Sequence, residues 1–534
     1  MRLVALVFAT STLCAQETHA GHGSMDAPLL GTIDFPTGGS RASHDQFIRG
    51  VLLMHNFHYE PAADAFREAQ KLDSSNVMAY WGEAMTYTHP VWNEQDTTAA
   101  HAALAKLGSS RELRLAKAQT TREKAWLDAV ETLYASGTSK AHRDTTYSAA
   151  MAALYANDTT DIEARAFYAL SLLGLNEGDR DVATYRKAYE LLAPVFKTHP
   201  KHPGIAHYII HSVDDPEHAK LGLDAANAYG EIAPSAGHAL HMTSHIYLAL
   251  GRWDDVLKAN LRAHATIPNG ILSGHGAHWI HYSLVQLGRY READIWLDSM
   301  VKQAMSNRPR LKADSWDAAG IMAAANIVDT HRYDRKSAAL RVDEKIFNAA
   351  SYNEAMVDLA GAEYGFAIAA LERGQRNVAD SMMMNMKKMR ADAANDITKT
   401  SSRGYVEVME KSLGGYFLWK DGKLDQALTA FRDAAQEEAA LPMPFGPPVV
   451  IKPPRESAGE VLLQMKRPRE AKQEFMLALA RTPLRIAPLL GLARAEKALG
   501  NHAESKKIYQ QVLAIWHNAD ANVAELAEVR SGSR

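Results

Sequence analysis

Cysteine is almost missing from this chain: the only one, Cys14, falls within the first twenty residues. Disulfide frameworks, thiolate metal sites and cysteine nucleophiles are therefore excluded from everything that follows it. Charge of one sign is also lacking. Lys and Arg number 59 against 62 Asp and Glu, so the basic excess of a nucleic-acid binder is absent. No apolar run reaches the roughly 18 residues that would mark a membrane-spanning helix. Proline (20) and glycine (33) are too sparse in 534 residues for a collagenous or linker-like chain. What is present is a globular composition, 47% hydrophobic and 23% charged, long enough for two domains or one repeat array.

The opening stretch MRLVALVFATSTLCAQETHAGHG combines Arg2, an apolar run from Leu3 to Ala9 and small residues. That order reads as a secretory signal peptide over 1–20, cleaved after Ala15 or Ala20, and predicts a periplasmic or secreted protein. The Gly- and Pro-bearing segment 21–43 is expected to be a flexible linker. His19, His22 and Met25 within it form a weak copper-binding pattern.

From His44 onward apolar residues recur at helical spacing and strand signals are scarce. Short turns such as NFHYEPA, LGRWDDV, LGRYREA, KDGKLDQA, MKRPREA and ALGNHAE punctuate the helices. The clearest second helices carry A-x-x-x-F-x-x-A, as in Tyr59 to Asn76 and Lys423 to Gln436. Gly251 to Gly288 spans 37 residues and His207 to His241 spans 34. Helix–turn–helix units of this length, with a small residue at the crossing and an aromatic in the second helix, resemble the tetratricopeptide (TPR) repeat. Trp81 and Gly82 match the large-then-small pair of a TPR first helix. The chain as a whole resembles an exported, bacterial-type TPR protein with histidine-rich repeats.

The resemblance implies an all-α solenoid, a right-handed superhelix of antiparallel helix pairs. Residues 44–300 are expected to form an N-terminal array and 351–518 a C-terminal one. Residues 301–350 read as an irregular helical connector and 519–534 as a tail. Such folds imply a concave groove for a peptide, protein segment or small ligand, and no reaction.

Histidine is the unusual element. Twelve of the 23 lie between His199 and His281, about three times an even spread. His207, His241 and His278 each stand ten residues before the turn that ends their helix, and His211 and His245 stand six before it. Residues four apart share a helix face. The TPR resemblance implies that this face looks into the groove. Imidazoles at matched positions of adjacent helices, packed about 8–10 Å apart, suit a divalent transition metal, copper or zinc. His207, His211, His241, His245 and His278 are the candidate ligands. His238 and His281 extend the cluster, and Tyr208 and Tyr282 adjoin it. His89, fixed before Pro90, lies in a shaped loop at the groove mouth. Glu456 and Glu460 occupy the same register far downstream, as carboxylate partners should the superhelix close on itself.

Other patterns are plainer. The methionine-dense run Ser381 to Met389 offers soft ligands, but Met383 and Met386 fall at core spacing. Leu441 to Pro454, with six prolines, is expected to cross the solenoid as an extended loop. Walker, dinucleotide-binding and nucleophile-elbow motifs are missing, and Tyr208 stands where H-E-x-x-H would need its glutamate. The expected function is thus an exported binding protein with a histidine-rich, metal-binding groove, and no activity is assigned. A metal-dependent hydrolase or oxidoreductase and a metal-free interaction scaffold are the alternatives.

Overall fold

The computed structural model describes residues 29–175, 180–268, 271–306, 309–333, 349–392 and 400–534. The expected signal peptide and its two expected cleavage positions lie outside these. The described chain is an all-α solenoid of TPR-like helix pairs. Its strand pairing, among the described residues, is one two-residue hairpin, Thr88–His89 against Glu94–Gln95.

The repeats share a turn and a packing rule. Seven first helices end on a left-handed residue: Phe57, Gly251, Gly288, Gly374, Gly422, Lys466 and Gly500 all have φ between 57° and 78°. Glycine is favoured there because it has no Cβ to meet the backbone carbonyl. The aromatic of the second helix then fills the space left by a small residue in the first helices on either side. A Cβ on Gly82 would come within 2.3 Å of the Phe66 ring, and Phe475 fits Gly491 the same way. Alternation of large and small residues thus sets the helix spacing.

Three departures from the sequence reading stand out, two of them at the ends of the array, where a solenoid needs a cap. Residues 29–40, expected to belong to a linker, pack instead. Leu30 and Phe35 are fully buried, and Phe35 lies edge-on to Phe47 and Trp81. At the other end the expected tail contains the helix Leu526–Gly532, which buries Leu526 and Val529 against the last repeat. In the expected irregular connector, a regular helix runs from Pro309 to Thr330.

The array closes on itself. Ile486 N–H donates to Gln286 Oε1 at 3.0 Å, Trp516 Nε1 to the Gln286 carbonyl and Trp253 Nε1 to the Leu484 carbonyl. Buried Arg485 stands at this seam, bonded to Glu456, Asp329 and the Tyr282 hydroxyl.

Candidate metal centre

Two groups of three histidines converge on the inner wall, His207–His211–His238 and His241–His245–His275. They are copies of each other. His207 and His211 are the fifth and ninth residues of the helix Pro203–Ser212, and His241 and His245 are the fifth and ninth of Gly237–Ala249. The third member of each group is the second residue of the next first helix: His238 in Gly237–Ala249 and His275 in Gly274–Gln286. Each group is thus an i, i+4 pair closed by the first turn of the following repeat. The first of these helices carries Gly204 at its second position, where a Cβ would fall 2.3 Å from the His55 ring.

The nitrogens point inward. His245 Nε2 lies 3.1 Å from His241 Nε2, which lies 3.0 Å from His275 Nε2; His211 Nε2 and His207 Nε2 are 3.1 Å apart. The opposite nitrogens are held from behind. Asp214 Oδ2 accepts from His245 Nδ1 at 2.5 Å and Asn260 Oδ1 from His241 Nδ1 at 2.7 Å. Asn260 is oriented by its own Nδ2–H, which donates to the Val256 carbonyl. The His55 carbonyl accepts from His207 Nδ1 at 2.7 Å. An acceptor at Nδ1 places the proton there, so in neutral His241 and His245 the Nε2 lone pairs face each other, whereas His211 Nδ1 has no such acceptor. Separations of 3.0–3.1 Å match two imidazoles sharing one ion at about 2.0–2.1 Å. A second-sphere carboxylate, amide or carbonyl behind the ring is the usual support for such a ligand.

Burial keeps these rings from taking up protons. Desolvation pushes His207 down to about 3 and holds His211, His238 and His241 well below the ordinary imidazole value, with neighbouring histidines adding to the effect. His275, at the outer side of its group, is exposed to solvent.

The third histidine–carboxylate group, His55–Glu163–His202, is already complete without an ion. Glu163 accepts from His55 Nε2 at 2.9 Å and from His202 Nε2 at 3.0 Å. His55 Nδ1 meets the Tyr208 hydroxyl at 2.8 Å, and His202 Nδ1 accepts from the Ile205 N–H. Every nitrogen is spent within the protein. Burial pushes Glu163 up, but His202 and His55 together outweigh it and bring the carboxyl down to about 2.

The sequence-derived candidates therefore divide. His207, His211, His241, His245 and His238 come together. His278 does not join them: it is half-buried, one turn past the converging position, and His275 takes its place. Burial pushes His278 down to about 4. His281 is fully buried and in neither group. Tyr208 serves His55, and Tyr282 serves Arg485. Glu456 and Glu460 are held by cations rather than imidazoles, Glu456 by Arg485 at 2.6 Å and Glu460 by Lys452 at 2.5 Å. His89 sits in the hairpin with both nitrogens engaged, by Glu94 and the Thr86 carbonyl, and stacks on Tyr59. Met386 is core. His19, His22 and Met25 lie outside the described residues.

No family model and no curated protein matches this chain. Among solved structures, it resembles the human IFIT1 dimer with m7Gppp-AAAA at 16% identity and a TM-score of 0.34, over 90% of this chain and 91% of that one. Yeast Tom70 aligns at 10% identity and 0.28, over 92% and 96%. The TPR domain of P58(IPK) aligns at 13% and 0.22, over 70% and 96%. Likeness of this order carries no argument about ligands. The fold rests on the helices themselves.

Asp214, Asn260 and His275 were not among the sequence-derived ligands or their supports. A signal for His275 existed: His207, His241 and His275 stand at two successive intervals of 34 residues. Counting back from the turn glycines selects His278 instead.

The proline-bearing segment crosses the groove as expected and covers this centre. Gly446, with φ +100°, lies so close to Trp279 that a Cβ would reach 2.7 Å from its ring. Trp279 in turn packs on His245 and His241 with ring centroids 4.6 and 4.9 Å away. Beside the loop a cleft is lined by Asp214, Tyr405, Glu438 and Arg481. Exposed Trp92, near His238, and Phe445, near His245, flank the centre.

Proposed function

We propose that this chain is an exported TPR-like solenoid that binds two transition-metal ions, one in each three-histidine group of its groove. Copper and zinc are the metals that three neutral imidazoles favour. The observation that carries the reading is the pair His241–His245. With Asn260 and Asp214 accepting from both Nδ1 atoms, the two rings, when neutral, bring lone pair to lone pair at 3.1 Å. A cation between them converts that repulsion into two bonds. Three ligands leave each ion an open position for a further ligand or a substrate. The leader over 1–20 supports export to the periplasm or the medium.

Metal analysis of the purified chain tests the reading. Two ions per chain are expected, falling to one in His241→Ala and in His207→Ala with helix content preserved. A wild type that takes up no copper or zinc at micromolar concentration would leave the groove as a polar site for a peptide or small ligand.

A further inference from the structure

We propose that the two histidine groups form one dinuclear copper centre, in which two copper(I) ions bind and reduce a single dioxygen molecule. The inference rests on the metal-binding reading above and extends it from storage of ions to redox chemistry.

Proximity is the first support. Within a group, neighbouring ring centroids are 4.7–5.1 Å apart: His241–His275 at 4.7 Å, His207–His211 at 4.8 Å and His207–His238 at 5.1 Å. Between the groups the separations are hardly larger, 6.3 Å for His211–His245 and 6.4 Å for His238–His241. Rings of the two groups thus adjoin, and ions held in them would be neighbours, the arrangement in which metal pairs, typically about 3.5–4 Å apart, act on one small molecule.

Charge is the second. Neither group contains a carboxylate or thiolate. The nearest carboxylate, Asp214, is engaged at the far nitrogen of His245. Two divalent ions would bring four positive charges to six neutral ligands, five of which are buried. Burying uncompensated charge is costly. Two copper(I) ions halve it, and copper is at home with imidazole.

Dioxygen then completes the balance. Each copper(I) gives one electron, the O–O bond order falls from two to one, and both ions become copper(II). The resulting dianion offsets two of the four charges. Uptake needs no proton and no outside reductant. Zinc has no second oxidation state to offer and binds without this step.

The test begins with the protein loaded anaerobically with two equivalents of copper(I), its retention measured before air is admitted. The expected result is uptake of one dioxygen per two coppers. It is accompanied by a new near-ultraviolet absorption and a copper(II) EPR signal at least tenfold below two spins, because the two ions are coupled. His238→Ala and His275→Ala should each keep one copper, take up no dioxygen in that ratio and give a one-spin signal after chemical oxidation. Two full spins, or retained copper that leaves dioxygen untouched, overturn the dinuclear reading while metal binding stands. Failure to retain copper overturns the dinuclear copper reading, and the metal-binding reading falls with it only if zinc is not retained either.

Discussion

Asp214 Oδ2 and His245 Nδ1 lie 2.5 Å apart, tying the loop that follows one first helix to the first helix of the next repeat. The contact spans 31 residues of sequence and is buried on both sides. Its consequence is directional: it holds the His245 proton away from His241 and leaves Nε2 free for an ion.

Asp214→Ala should therefore weaken one metal site and spare the other. Loss of a second-sphere carboxylate typically costs about 10- to 100-fold in affinity. Competition with a chelator of known affinity is expected to resolve one unchanged and one weakened ion. Equal weakening of both, or of neither, would contradict the role given to Asp214.

Acid should destabilise the metal-free protein. His207 stays neutral in the folded state down to about pH 3, whereas the unfolded chain takes up that proton near 6.5. The unfolded state then binds more protons, so stability falls as pH drops through 6.5 toward 3. The slope is about 1.4 kcal/mol per pH unit for each such histidine. Urea midpoints at pH 7 and pH 5 measure it, and equal midpoints would refute it. For the same reason metal release, expected toward pH 5 for ordinary imidazoles, should shift to lower pH.

Glu163 acts in the same sense, lower on the pH scale. Its folded value of about 2 lies below its ordinary one, so its contribution is present above about pH 4.5 and lost between there and 2. Glu163→Gln should cost about 3–5 kcal/mol, since it breaks a buried charged network. Metal content should not change, because this group spends all its nitrogens internally. Loss of an ion in this variant would reopen His55–Glu163–His202 as a ligand set.

The repeat packing is tested by Gly82→Ala. A methyl 2.3 Å from Phe66 must displace the ring or the helix. Overpacking of this kind costs about 1–3 kcal/mol. A lowered melting temperature with unchanged metal stoichiometry is expected, and an unchanged melt would argue against the close fit.

Closure of the array depends on Arg485. Arg485→Met leaves Glu456 and Asp329 buried without their cation, a loss of about 3–5 kcal/mol. The expected result is a marked fall in stability and faster proteolysis at the seam between the central and C-terminal repeats.

The all-helical repeat plan was legible because it depends on local rules. The A-x-x-x-F helices, the glycines at the turns and the small residues opposite Phe66 and Phe475 recur at measurable intervals, and each acts on its nearest neighbours. The histidine pairs His207–His211 and His241–His245 were legible for the same reason, since four residues bring two side chains to one helix face. What closes each group was not. His238 and His275 reach their partners from the first turn of the next helix, so their placement depends on the angle and offset between repeats. That offset differs by three residues between successive repeats, 34 against 37, which is why register counted from the turn selected His278. Asp214 and Asn260 act across elements, and no spacing announces them. Glu456 shares the histidines' register, yet closure of the superhelix delivers it to Arg485, because a buried carboxylate goes to the buried cation beside it. Sequence thus determined which residues share a helix face; the packing of one helix on the next decided which of them meet.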